Sequence, residues 1–272
     1  MLRSVLRLLL GFVLLLLVAA GAAFLYVDQI AKAGIERGAT YALGVETTVD
    51  EVRLRPRSGE FALGGLDVTN PGGFDSPYFL RVAGARLHLP LQRLLDDTIR
   101  VPRIVIADVD LTLLRTKRGS NYDAILQNLK RFESDGSADS GAKNGAKEFI
   151  IDELLITDVS AKVSVGILGE ASVIDVMVPE IRLSDIGSKS GGVTTAQLTG
   201  IITKAILAAV IRTGGIPLDL AKDLKGQLAG LAGVKLQLPA GLEETAGRLL
   251  GGDVKGDIGQ VLNGLLGGKK SP

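Results

Sequence analysis

One spacing recurs along this chain and restricts its fold more than any other feature: apolar-x-apolar-x-x-apolar-x-apolar, usually closed by x-Asp or x-Asn. It reads Phe61, Leu63, Leu66, Val68 with Asn70, and Ile99, Val101, Ile104, Ile106 with Asp108. It returns as Phe149, Ile151, Leu154, Ile156 with Asp158, and as Val176, Val178, Ile181, Leu183 with Asp185. A copy without the closing residue is Leu80, Val82, Ala85, Leu87. A period of two gives a strand one apolar face. The central slip turns that face over unless one extra residue is absorbed there, as in a β-bulge. The repetition predicts an α+β protein built on a curved, mostly antiparallel sheet, groove- or taco-like, with one apolar face.

Reactive chemistry is scarce. Lys and Arg number 31 against 30 Asp and Glu, a net charge of +1, so no basic footprint for nucleic acid is present. There is no cysteine, hence no disulfide framework and no thiolate. The single histidine, His88, alternates with Leu87 and Leu89 and points away from them. One histidine does not make a zinc site. Gly64-Gly65 and Gly72-Gly73 lack the strand-to-helix setting of a nucleotide loop, and no Ser-His-Asp set is evident. The sequence reads as non-enzymatic, with no cofactor and no metal.

From Leu8 to Val27 no charged residue occurs. About twenty helical residues rise ~30 Å, the thickness of a bilayer's hydrocarbon core. Arg3 and Arg7 precede the run and Asp28 follows it, so the N-terminus is expected in the cytoplasm and the rest exported. An uncleaved anchor over residues 1–27 is one reading. A cleaved signal is the other, since Ala20-Gly21-Ala22 resembles a cleavage site. Tyr26 would lie at the far membrane interface. Residues 28–44 keep a helical composition, either docking Ile30, Ala33, Gly34 and Tyr41 on the sheet or serving as a spacer.

A sheet domain is expected over residues 45–190, with strands at Val45–Arg55, Glu60–Thr69, Tyr78–Leu89, Thr98–Ala107 and Val109–Arg115, then more from Glu148 to Asp185. Asn70-Pro71-Gly72-Gly73-Phe74 spells a turn, and Asp108 and Asp158 read as turn formers before fresh alternating runs. Ser120-x-x-Asp123 resembles a capping box opening an amphipathic helix through Ile125, Leu126, Leu129 and Phe132. Residues 133–147 compose a polar loop. Thr194 to Thr213 reads as a second covering helix, with Lys204 and Arg212 arguing against a membrane span. Residues 191–272 form a C-terminal region, Gly- and Leu-rich beyond Pro217, expected as broken helical pieces that dock on the sheet, lie on a membrane surface or are only partly ordered.

The run Gly59-Glu-Phe61-Ala-Leu63-Gly-Gly65-Leu66-Asp-Val68-Thr-Asn70-Pro71-Gly-Gly-Phe74 resembles the start of AsmA-like bacterial envelope proteins. Leu94-Leu95 before Ile99, Val101 and Ile104, and Ser120-Asn121-Tyr122 opening a helix, fit the same order. The resemblance covers residues 1–185. It implies a single-pass inner-membrane protein facing the periplasm, with a β-rich groove linked to envelope assembly and lipid movement, akin to bridge-like lipid-transfer proteins. The expected partners are the bilayer through residues 5–27, a bound lipid or acyl chain, and other envelope proteins. About eight strands at ~4.8 Å make a sheet only ~40 Å wide, too small to bridge two membranes alone.

Two functions compete. In one, the apolar face holds lipid, with Phe61, Leu63, Ile104, Ile106, Leu154, Ile156, Ile181 and Leu183 as candidate lining. In the other, the protein is an envelope scaffold whose sheet is filled by its own helices.

Overall fold

The computed structural model describes residues 26–55, 58–90, 92–93, 96–117, 119–132, 147–166, 171–213, 224 and 235–237. The expected anchor lies outside these except for its last two residues, as do the loop up to residue 146 and nearly all of the Gly/Leu-rich region. Residues 26–43 form helix α1. Then come β1 (Thr47–Arg55), β2 (Glu60–Thr69), β3 (Tyr78–His88), β4 (Thr98–Thr116), β5 (Gly119–Ser120), α2 (Asn121–Lys130), β6 (Glu148–Gly166), β7 (Ala171–Ile186), α3 (Thr195–Thr213) and β8 (Lys235–Gln237). The sheet runs β1-β2-β3-β4-β6-β7-β8, with β5 paired to β4. It is open and antiparallel except for β4 and β6, which run parallel at a constant offset of 50 residues. The motif copies starting at Ile99 and Phe149 therefore lie side by side in register.

The central slip in the motif has a different cause from an ordinary bulge, which sets two residues on one strand against one on its partner. Here β1 to β4, β6 and β7 take an extra residue at one level. That level is the central slip of the motif in β1, β2, β3 and β7, but the closing Asp108 and Asp158 in β4 and β6, whose central slip falls in a second row. The ladders skip Asp50 opposite Gly65, Gly65 opposite Ala83, Ala83 opposite Asp108, Asp108 opposite Asp158, and Asp158 opposite Pro179. Gly65, Asp108 and Asp158 have φ of 53°, 54° and 56°. A second row passes through Pro102, Asp152 and Asp185, the last with φ 62°. Because the whole row turns together, the inward set switches parity in these six strands without a slip between neighbours at that row. The one register shift in these ladders lies elsewhere, between Val68 and Thr69 of β2 against β3. On β4 the buried residues accordingly change from Ile99 and Val101 to Ile106, and then to Val109 and Leu111.

This corrects two expectations. Residues 98–116 are one strand of 19 residues rather than two. Asp108 and Asp158 do not make turns: each sits mid-strand in the left-handed region, which aspartate tolerates better than branched residues. β1 also carries the spacing, as Thr47, Val49, Val52 and Leu54, a copy hidden by the threonine.

The apolar face lies under the helices. Leu154, Ile156, Ile181 and Leu183 are fully buried in the main core with Tyr122, Ile125, Leu126 and Leu129 of α2. Burying each such aliphatic side chain contributes ~1.5–3 kcal/mol. From Thr203 to Ile211 every residue of α3 is buried, as suits a helix apolar nearly all round. By length and composition α3 could cross a membrane, yet here it packs against β6, β7 and α2. Thr194 and Gln197 form a reciprocal capping box at its start: the Thr194 N–H donates to Gln197 Oε1 (2.9 Å) and the Gln197 N–H to Thr194 Oγ1 (3.3 Å). At α2 the expected box is not made. Ser120 is the N-cap residue, but its hydroxyl donates to the Asp123 carboxylate instead of receiving a backbone N–H. In the C-terminal region, Lys235–Gln237 is a strand on β7 rather than part of a helix.

Candidate functional site: an apolar cavity beneath the first helix

α1 is held to the edge of the sheet by its polar side. The Thr47 N–H donates to Thr40 Oγ1 (3.0 Å), the Val49 N–H to Glu36 Oε1 (2.9 Å), and the Leu54 N–H to Asp28 Oδ1 (2.9 Å). Lys32 Nζ donates to the Asp50 carbonyl at 3.1 Å. Residues 28, 32, 36 and 40 recur every four positions, so one helix stripe serves a whole strand edge. The ladder replaces a missing neighbour strand and closes an edge open to pairing with other chains.

The ladder also sets the helix rotation. Ala31 and Ile35 turn onto Val49, Val52 and Leu63, and Ala39, Ala42 and Leu43 are buried further along. Of the face expected on the sheet, Ile30 and Gly34 border a cavity against it, with Ile30 63% and Tyr41 52% exposed. Four strand contacts outweigh the small apolar gain those residues would bring.

Near its N-terminal end, α1 stands off the sheet and leaves a cavity of about 600 Å³. Its walls are Val27, Ile30, Ala31, Gly34 and Ile35 of α1, Phe61, Leu87, Ile99, Val101, Ile104 and Phe149 of the strands, and Leu198 of α3. Arg55, Glu60 and Lys147 stand among the lining as its charged members. Arg55 pairs with Glu60 at 2.8 Å, and Lys147 Nζ donates to the Asp96 carbonyl at 2.7 Å. The volume falls in the range of small-molecule sites, ~300–1,000 Å³. Such walls offer mainly dispersion contacts to a guest.

Of the eight lining candidates, Phe61 and Ile104 face this cavity. Leu63 packs with Val49 and Val52. Ile106, Leu154, Ile156, Ile181 and Leu183 belong to the main core beneath α2 and α3. Those five positions are buried in the core shared with α2 and α3. Helix α1 supplies a wall in which the sequence reading had placed Ile30 and Gly34 but not Val27, Ala31 and Ile35. Its signal was the 3-4 spacing of Val27, Ala31, Gly34 and Ile35.

His88 is exposed, and among the described residues no group of His, Asp and Glu could hold a metal ion. The opposite face of the sheet is ionic: Arg100 pairs with Asp152 (3.0 Å), and Glu153 takes Arg103 and Arg182 (3.3 Å each). The hydrogen bond and charge of Asp152 raise the Arg100 pKa further above its ordinary value. No protein-family model and no curated protein matches this sequence.

Proposed function

We propose that the chain is a membrane-anchored, non-catalytic AsmA-like envelope protein, exposed to the periplasm, that binds lipid or helps it move. The observation that carries the reading is the apolar cavity under α1. Two features support it. The uncharged run from Leu8 to Val27 leads into the helix that roofs the cavity, so the site begins where a bilayer-spanning length ends. The sheet's polar outer face and apolar inner face suit an exported surface with an oily side turned inward. Native mass spectrometry of the full chain released from detergent micelles tests it. A retained lipid is the expected result; bare protein under conditions that keep it folded counts against it.

A second reading rests on the closed part of the same face. α2 and α3 fill the sheet from Ile106 to Leu183, so a scaffold cored by its own helices needs no guest there. Cross-linking in cells separates the two, since a scaffold gives protein adducts and no lipid adducts.

A further inference from the structure

We propose that Gly34 determines what the cavity admits: its missing side chain keeps a slot open between α1 and α3 that passes a hydrocarbon chain. The inference rests on the lipid-handling reading above and names the position that controls entry.

Gly34 lies inside α1, although glycine is the poorest helix former after proline. Neither usual reason for glycine applies. Its φ is not positive, and apart from the helix's own backbone no atom lies within 4 Å of where its Cβ would stand. Gly38, one turn on, differs: a Cβ there would stand 3.2 Å from Thr195 Cγ2, a tight contact that the threonine side chain would have to ease by a few tenths of an ångström. The two helices thus meet at Gly38 and stand apart at Gly34. Gly34, Thr195 and Leu198 line the same cavity. The edge ladder through Asp28, Lys32 and Glu36 fixes the helix rotation, so position 34 keeps facing the gap.

The occupant follows from the walls and their place in the chain. They are nearly all hydrocarbon, so the enclosed part of a guest carries no polar group that needs a partner. The described chain begins at Tyr26, beside Val27 in the cavity wall, and the residues before it are uncharged back to Leu8. With those uncharged residues read as the anchor, the acyl tail of a membrane phospholipid is the apolar guest nearest to Val27 in the wall.

The test uses the full chain in vesicles of phosphatidylethanolamine and phosphatidylglycerol that contain a phospholipid with a diazirine on its acyl tail. After irradiation, adducts are mapped by mass spectrometry. Wild type is expected to carry adducts at Phe61 and Leu87. Gly34→Leu lowers these about tenfold, the effect of overfilling an apolar site, and leaves labelling at Tyr26 unchanged; Gly34→Ala falls between. Both variants gain helix propensity and melt no lower than wild type. Equal cavity labelling in wild type and Gly34→Leu overturns the role of Gly34 and leaves the lipid reading standing. Labelling at Tyr26 without Phe61 or Leu87 in wild type overturns the lipid reading and this inference together.

Discussion

The side-chain amide of Asn121 donates a 2.9 Å hydrogen bond to the side-chain carbonyl of Asn70. The same amide donates to the Thr112 carbonyl (2.7 Å), and its oxygen accepts the Leu114 N–H (2.9 Å). Asn70 in turn donates to the Ser76 carbonyl. The start of α2 is thereby tied to β4 and to the β2–β3 turn at a fully buried point. Asn121→Leu strands several polar groups at once and is expected to lower stability by ~2–4 kcal/mol, read by urea unfolding. Asn121→Asp, which loses both donors and buries a charge, is expected to be at least as damaging.

The left-handed residues of the kink row make a signed prediction. Asp108→Val forces a branched side chain into that region and costs ~1–2 kcal/mol. Asp108→Gly fits the backbone and separates no favourable pair, since Asp158 is its like-charged neighbour across the parallel ladder. Its stability should stay within ~0.5 kcal/mol of wild type. Thermal melts of the two variants check the difference, and equal losses would remove the conformational explanation.

At the sheet edge, Asp28→Ala and Glu36→Ala each free a strand N–H and are expected to cost ~1 kcal/mol. The double variant exposes the β1 edge, so it should also self-associate, detected by light scattering. A stable, monomeric double variant would show that the ladder does not guard the edge.

Alanine substitutions separate closed core from cavity wall. Leu154→Ala empties a fully buried site and is expected to cost ~2–5 kcal/mol. Ile104→Ala enlarges a space already open, and Ile104 is only half-buried, so its loss should be ~1–2 kcal/mol, the transfer of three partly buried carbons with no cavity cost added. Equal losses would mean that the cavity is closed in solution.

The periodicity made the strands legible, because side chains alternate on any extended chain whatever it pairs with. Phe61, Leu66, Ile104 and Ile181 could be placed on one apolar face for that reason. The parallel pairing of Ile99 with Phe149 was not legible, nor was the alignment of Asp108 with Asp158, because both depend on which strands become neighbours. Asp108 looked like a turn former because it precedes a fresh alternating run and Asx side chains commonly bond the backbone of a turn. Only a row shared by six strands lets one stand mid-strand.

By itself the sequence determined which residues alternate, where helices start and which face of each strand is oily, since these follow from local geometry and from transfer out of water. The tertiary structure decided how α1 turns and where the apolar face stays unfilled. The reason is the edge of β1: strand N–H groups donating to Asp28, Glu36 and Thr40 fix the helix, and with it the cavity.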